Sequence, residues 1–144
     1  MHVRQFLVPQ EEVPTLHPGD RIADVVDRLS RTAFQALPVT DGKGRLLGVV
    51  SLEEVHLASQ SPHLRPLVVA ADLMRLDVTP LQPEDRLDRA LELFVESNLL
   101  ALPVVDGSPE RHVIGMVKRA DVSSTYLRYV HGAPPQQPGD EAVL

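Results

Sequence analysis

Residues 36–42 read Ala-Leu-Pro-Val-Thr-Asp-Gly, and residues 101–107 read Ala-Leu-Pro-Val-Val-Asp-Gly. The same offset of 65 residues aligns the flanking sequence over 25 pairs, of which nine are identical. Several of the differing apolar pairs keep their character, as at Ile22 and Leu87. The chain therefore contains a repeated fold and not only a repeated motif.

The length of the chain sets how the two copies must be arranged. A chain of 144 residues is expected to form one domain, and a single copy of half that length would be marginally stable. We therefore expect the two copies to pack on each other around a shared core. The seam between them is the natural place for a ligand cleft.

Composition excludes several classes of function. The chain has 14 basic and 20 acidic side chains, a formal charge of −6, and only 3% aromatic residues, which disfavours a general nucleic-acid binder. It has no cysteine, so disulfides and thiolate metal sites are excluded. No apolar run approaches the roughly 20 residues of a membrane span, and charge interrupts the start too early for a secretory signal. A soluble, cytoplasmic protein is predicted.

The histidines give no sign of catalysis. None of them shows the HExxH spacing of a metal site or another ligand pattern, and nothing places one beside Ser51 as a general base. We therefore do not expect an enzyme. The six are His2, His17, His56, His63, His112 and His131.

Each copy is expected to begin with a short strand and a helix. The strands are predicted at residues 13–16 and 78–81, where proline favours an edge position. The helices are indicated by apolar residues at i, i+3, i+4 and i+7, with Asp20 and Asp85 suited to cap them. The apolar stripes are Ile22, Val25, Val26 and Leu29 in the first copy, and Leu87, Ala90, Leu91 and Phe94 in the second.

A hairpin and a closing helix complete each copy. Helices are predicted from near Ser51 and from near Arg119 to Val130. The predicted order is strand, helix, strand, strand, helix, an α+β fold present twice. The hairpin strands are residues 37–39 and 46–50 around the turn Asp41-Gly42, and residues 102–105 and 113–117 around the turn Asp106-Gly107.

The domain boundaries follow from these elements. The first copy is expected at residues 3–58 and the second at residues 67–130, with a linker at residues 59–66. The proline-rich end at residues 131–144 is predicted to be a disordered tail.

This order of elements resembles the cystathionine beta-synthase (CBS) domain, which occurs as tandem pairs called Bateman modules. The resemblance covers residues 3–130 and is carried by the motifs that occur twice. They are Leu-Pro-Val-x-Asp-Gly in both copies, Leu-Leu-Gly-Val-Val-Ser-x-x-Glu in the first, Val-Ile-Gly-Met-Val-x-x-x-Asp in the second, and the entry segment Ala71-Asp72-Leu73-Met74. The pair as a whole also resembles the cytoplasmic tail of chloride channel and transporter proteins, which would make the chain a fragment or a free-standing relative.

The resemblance implies sensing rather than chemistry. CBS pairs bind adenine nucleotides (ATP, ADP or AMP) as regulatory ligands in the clefts between copies, with no obligatory cofactor. A bound ligand alters a partner domain or a dimer contact when it binds one arrangement of the copies better than another. The expected partners are the nucleotide, a second copy of the chain and a transporter or channel domain. Neither nucleic-acid binding nor direct insertion into a membrane is expected.

The family motif Gly-x-x-Ser/Thr-x-x-Asp implies which residues bind the ligand. Its hydroxyl and helix amides face phosphate, its acid faces ribose, and the adenine slot comes from the other copy. The first copy has Glu54 where the family prefers aspartate, and the second has Lys118 where it prefers serine or threonine. The better predicted site is Asp121, Lys118, Arg119, Phe34, Val13 and Thr15; the weaker is Ser51, Glu54, Val78, Thr79 and Leu99.

Each of these residues also has a simpler interpretation. Ser51 and Glu54 fit a capping box, Phe34 a core or dimer-contact ring, and Arg119 a solvated helix residue. The rival function is an interaction module that binds no nucleotide and works by dimerising or docking on another domain. Candidates for its exposed apolar face are Leu57, Val122, Tyr126 and Tyr129.

Overall fold

The repeated sequence forms two β-hairpins in the computed structural model, which describes residues 1–131. Strand β2 (Ala36–Thr40) pairs with β3 (Leu46–Ser51), and β4 (Ala101–Val105) pairs with β5 (Val113–Lys118), both antiparallel. Every residue of β2 and β4 is buried, which explains why these strands lack an alternating polar pattern. The predicted hairpins are confirmed.

The predicted helices are also present. The first helix of each copy is α1 (Ile22–Ser30) or α4 (Leu87–Ser97), and the closing helix is α2 (Leu52–Ser59) or α5 (Arg119–Val130). A short helix α3 (Ala70–Leu73) begins the second copy, and 3-10 turns lie at Val3–Phe6, Gln10–Glu12 and Arg65–Leu67. The predicted tail lies, except for His131, outside the described residues.

Two local predictions are wrong. Asp20 and Asp85 do not cap α1 and α4, whose N-caps are Arg21 and Arg86 without a side-chain hydrogen bond. Instead each aspartate accepts a hydrogen bond from the backbone amide three residues earlier, at 2.8 Å from His17 to Asp20 and at 2.8 Å from Gln82 to Asp85. Both acids are used to close the turn that precedes the helix.

The strands predicted at residues 13–16 and 78–81 are reduced to single bridges. Leu16 pairs with Val39 and Leu81 with Val104, in each case in parallel. The amide of Leu16 donates to Pro38 at 2.9 Å. Prolines 14 and 80 lack an N–H group, so the ladder extends no further on that side.

The strand that the sequence did not reveal is β1 (Val8–Pro9), and it lies on the other copy. Val8 pairs with Met116 of β5, and Arg75, in the entry segment of the second copy, pairs with Val49 of β3. The order of the larger sheet is β1-β5-β4. The second hairpin therefore gains an outer strand, and the first a single bridge, from the entry segment of the opposite copy.

The residues before these exchanged segments also hydrogen-bond with the opposite copy. The amide of Val3 donates to the Asp85 carbonyl at 2.9 Å, and the amide of Ala70 donates to the Asp20 carbonyl at 2.8 Å. Val3 is fully buried in the core of the second copy. The two copies are thus interlocked, because each is completed by chain that belongs by sequence to the other.

The core crosses the seam as well. One cluster of buried residues consists mainly of the second copy but contains Ala36 and Val49, and the other consists mainly of the first copy but contains Ala101 and Met116. At the hairpin tips, the amide of Leu46 donates to the Arg111 carbonyl at 3.0 Å. This packing positions the end of each hairpin against the other copy.

Candidate functional site

The candidate site is formed where the last strand of one copy meets the core of the other. We call the predicted set Val13, Thr15, Phe34, Lys118, Arg119 and Asp121 the Lys118 cleft. We call the corresponding set Ser51, Glu54, Val78, Thr79 and Leu99 the Ser51 cleft. Their elements follow one plan, since residues 51 and 118 both end a hairpin and both precede a closing helix.

The geometry of β5 brings the two copies together in the Lys118 cleft. Side chains two residues apart point to the same face of a strand, so Lys118 shares a face with Met116. Met116 packs in the same core cluster as Phe34 and Val13. The ammonium nitrogen of Lys118 lies 5.9 Å from the centroid of the Phe34 ring. A cation from one copy therefore covers an aromatic ring from the other.

The polar groups of the Lys118 cleft are available for a ligand. Arg119 and Asp121 are exposed, while Lys118 and Thr15 are partly buried. Within residues 1–131, neither the carboxylate of Asp121 nor the charged ends of Lys118 and Arg119 make a hydrogen bond or an ion pair. The backbone amide of Arg119, by contrast, already donates to the Leu100 carbonyl at 2.9 Å.

The apolar side of the same cleft is well ordered by packing. Val13 and Phe34 are each 6% exposed. The interpretation of Phe34 as a core ring is therefore correct, and Lys118 Nζ lies over that ring. A stacking ligand has to meet a ring that the fold already holds in place.

In the Ser51 cleft the polar groups of Ser51 and Glu54 hydrogen-bond with each other at the start of α2. The amide of Ser51 donates to Glu54 Oε1 at 2.7 Å, and the hydroxyl of Ser51 donates to the same oxygen at 2.8 Å. The amide of Glu53 approaches the Ser51 hydroxyl oxygen at 3.3 Å. The capping-box interpretation of Ser51 and Glu54 is confirmed. Val78 and Leu99 are buried and Thr79 is exposed.

A cavity of about 170 Å³ opens beside Ser51 and Leu99. Its other lining residues are Gln35, Leu52, Glu53, Asn98 and Leu100. Sequence reasoning missed Gln35 and Asn98, both of which have positive φ, 61° and 57°. Asparagine after a helix is a signal for this conformation, but glutamine is not. The cavity is smaller than the roughly 300 Å³ of an ordinary small-molecule pocket.

The two clefts differ in charge. Lys118 and Arg119 stand at the start of α5, whereas Glu53 and Glu54 stand at the start of α2. A phosphate is attracted to the first pair and repelled by the second. Neither Phe34 nor Lys118 lines any of the four cavities described within residues 1–131.

A separate apolar surface lies on the second copy. A groove of about 620 Å³ runs along α4 to Tyr126 of α5, and Tyr129 and Leu57 are 71% and 60% exposed elsewhere. Val122 is fully buried, so its prediction as an exposed contact is wrong. It faces the core because it packs against the hairpin side of α5. The groove is lined by Asp88, Leu91, Glu92, Val95, Glu96 and Tyr126.

The described residues offer neither a metal site nor a membrane span. Within residues 1–131 no three carboxylate or imidazole side chains come together in a way that could hold a metal ion. None of the helices in that range is both long enough and apolar enough to span a bilayer.

Known proteins share this architecture. A family model described as "CBS domain" matches residues 3–60 and 69–128. The structure of CBSX2 in complex with AMP superimposes with a TM-score of 0.73 at 26% identity, covering 90% of this chain and 98% of that one. The structure of CBSX2 from Arabidopsis thaliana gives 0.74 at 24% identity, covering 90% and 96%.

A channel domain is similar as well. The cytosolic domain of the Mg²⁺ channel MgtE in complex with ATP has a TM-score of 0.70 and 25% identity, covering 86% of this chain and 48% of that one. An uncharacterised protein of Methanocaldococcus jannaschii is 30% identical over 116 residues, 73% of this chain and 40% of its own length. Inosine-5'-monophosphate dehydrogenase of the same organism matches over 21% of its length, through its CBS region. The chain thus spans less than half of these curated relatives.

Proposed function

Since this chain belongs to the CBS domain family and carries the domain twice, we propose that it is a regulatory module that binds an adenine nucleotide between its copies. Occupancy of the cleft would be transmitted to a partner domain or a dimer contact. The observation that carries the proposal is the contact in the Lys118 cleft between Lys118 of the second copy and the Phe34 ring of the first. The neighbouring Arg119 and Asp121 have charged ends without a partner within residues 1–131.

Each group has a part in this proposal. The carboxylate of Asp121 would accept hydrogen bonds from the ribose hydroxyls, and Lys118 and Arg119 would bind phosphate oxygens. Phe34 and Val13 would contact the adenine. The AMP and ATP complexes of the similar proteins support an adenine ligand, because CBSX2 and MgtE carry the same fold.

The same arrangement gives a mechanism for signalling. Ribose and phosphate would be bound by the second copy, and adenine by the first, so the ligand would fix the angle between two copies that are already interlocked. A ligand shifts an equilibrium only by its difference in affinity for the two states. Adenine nucleotides are cytoplasmic metabolites, and we place the module in the cytoplasm accordingly.

For the partner we propose a class of protein domain and not a particular protein. The likeness to the cytosolic domain of MgtE supports a channel or transporter domain, on this chain or another, as what the module regulates. A chloride channel or transporter in particular stays a prediction from the sequence.

A thermal-shift panel tests the proposed function. AMP, ADP, ATP, S-adenosylmethionine and GTP are each added at millimolar concentration, with inorganic triphosphate as the control for charge alone. At millimolar concentration a ligand with a Kd of about 10 μM stabilises the folded state by about 2.7 kcal/mol, which raises Tm by roughly 5 to 10 °C. A ligand with a Kd of about 1 mM raises it by only about 1 °C. A rise with an adenine nucleotide and none with triphosphate is expected. No rise with any adenine compound would contradict the proposal.

The groove on α4 supports a second candidate function, self-association. Its floor contains Leu91, Val95 and Tyr126, and Val95 is 80% exposed. A homodimer that buries this floor would join two modules through their second copies. Val95→Glu should then convert a dimer into a monomer in light scattering, whereas Ser30→Glu, at the equivalent position of the first copy, should not. A parent chain that is monomeric at high concentration would contradict it.

A further inference from the structure

The Lys118 side chain lies against the ring that the proposed function assigns to adenine. Its ammonium lies over the ring of Phe34 at 5.9 Å, a distance within the range of cation–π attraction. Within residues 1–131 no carboxylate lies within ion-pair distance of this ammonium. The ring of Phe34 is thus the contact that the described part of the chain offers to the charge.

The first copy shows what the position looks like without this contact. Ser51 ends β3 as Lys118 ends β5, and Leu99 stands where the first copy has Phe34. The Ser51 hydroxyl is bound by Glu54, and Ser51 and Leu99 both line a cavity of about 170 Å³. Ser51 and Leu99 thus border a cavity, whereas the matched residues Lys118 and Phe34 are in contact with each other.

We infer that Lys118 acts as a latch that covers Phe34 when the cleft is empty and moves to the phosphate when a nucleotide binds. This inference rests on the proposed function and deepens it. The ammonium would exchange a cation–π contact for a charge-assisted hydrogen bond. The hydrogen bond from Lys118 to a phosphate would offset the free energy lost when the cation–π contact breaks. A nucleoside has no phosphate and would not offset this loss. Lys118 would thereby set a preference for nucleotides over nucleosides.

The first test compares two ligands by NMR titration. In Lys118→Ala, adenosine should bind roughly two- to fivefold more tightly than in the parent, because no latch has to open. ATP should bind roughly tenfold more weakly, because a phosphate contact is lost. Arg119→Ala is the matched control: it should weaken ATP binding without strengthening adenosine binding, since Arg119 makes no contact with the ring in residues 1–131.

The outcomes separate the two proposals. Opposite changes for adenosine and ATP in Lys118→Ala support the latch. If adenosine binding is unchanged or weakened, the latch is wrong while the nucleotide site stands. If neither ligand binds the parent or any variant, the proposed function fails and the latch fails with it.

A second measurement needs no ligand. The methylene protons of Lys118 next to the ammonium should be shifted upfield by the ring current of Phe34 in the empty protein. Phe34→Leu copies the residue of the second copy at this position and should move these protons to their ordinary shift. Lys118 protons that already have ordinary shifts in the folded parent would overturn the inference.

Discussion

The strand-to-helix junctions at residues 48–54 and 115–121 have the same backbone hydrogen bonding. They differ in which polar side chains are bound within the fold. The amide of Leu52 donates to the Gln35 carbonyl at 3.2 Å, and the amide of Arg119 donates to the Leu100 carbonyl at 2.9 Å. In the first junction, however, Glu54 is bound by the cap, whereas Asp121 has no partner within residues 1–131.

The difference teaches how a repeat can separate stability from binding. An acid that accepts hydrogen bonds from its own helix stabilises the fold and is costly to recruit for a ligand. An acid left exposed adds little to stability and keeps its acceptors free. We assign the first role to the Ser51 cleft and the second to the Lys118 cleft, and the equivalent positions of the two copies allow each role to be tested.

The largest loss of stability is expected at the two matched glycines, Gly48 and Gly115, where another chain segment lies close to the backbone. A Cβ atom at Gly115 would lie 2.1 Å from the Val8 carbonyl oxygen, and one at Gly48 would lie 2.7 Å from the Arg75 carbonyl oxygen. Both neighbours are exchanged backbone segments that cannot yield without losing their pairing. Gly115→Ala should destabilise the protein by about 3 kcal/mol or more, and Gly48→Ala by somewhat less.

Urea denaturation checks these values, and Gly107→Ala is the matched control. Nothing lies within 4 Å of a Cβ at Gly107, so this variant should stay within about 0.5 kcal/mol of the parent. An unchanged stability in Gly115→Ala would show that β1 does not lie against β5.

The next effect should distinguish the copies. Glu54→Ala removes the acceptor of the capping box and should lower the free energy of unfolding by about 1 kcal/mol. Asp121→Ala removes an exposed side chain without a partner in residues 1–131, and should change it by less than about 0.5 kcal/mol. Thermal unfolding of the two variants gives the comparison. Equal losses would mean that Asp121 also caps its helix, and the division of roles would be wrong.

The sequence predicted the hairpins and the main helices because their signals are local. Turn residues follow the Leu-Pro-Val strands, and the 3.6-residue stripes of α1 and α4 are unbroken. It also predicted Ser51 and Glu54 as a capping box, since that motif spans three residues. It failed at β1, because a two-residue strand gains its pairing from β5 over a hundred residues away.

The site was predictable only in part for the same reason. The family resemblance implied that Phe34 and the start of α5 belong to one cleft, and Lys118 Nζ lies 5.9 Å from the centroid of the Phe34 ring. Their role in binding a ligand stays a prediction. The cavity residues Gln35 and Asn98 were missed, because their positive φ values follow from the packing of the copies. Val122 was mistaken for an exposed residue, because the apolar pattern of α5 does not show which side meets the hairpin.

The smallest effect concerns the hairpin turns, where Asp41 and Asp106 are equivalent. A hydrogen bond from the Arg45 amide, aided by the Lys43 amide and the Arg45 side chain, lowers the pKa of Asp41 to about 2. The Ser108 hydroxyl does most to lower the pKa of Asp106. Because the folded pKa lies below the unfolded value of 3.8, this stabilisation is present above about pH 4 and is lost as the pH falls through 2.

Stability measured against pH tests this pair. Asp41→Asn should be less stable than the parent at pH 7, and the gap should shrink between about pH 4 and pH 2 as Asp41 of the parent is protonated. Asp106→Asn should show the same direction. A gap that does not change over this range would mean that the charge of Asp41 is not what the turn uses.

The most direct test of the account is calorimetric titration of ATP and AMP into the parent, Asp121→Ala and Glu54→Ala. The parent should bind one nucleotide per chain with a Kd on the order of 10 μM to 1 mM, or about 4 to 7 kcal/mol. Asp121→Ala should lose this binding while it unfolds at the parent's temperature, and Glu54→Ala should keep it despite its lower stability. Equal binding by Asp121→Ala and the parent would contradict the assignment of the ligand to the Lys118 cleft.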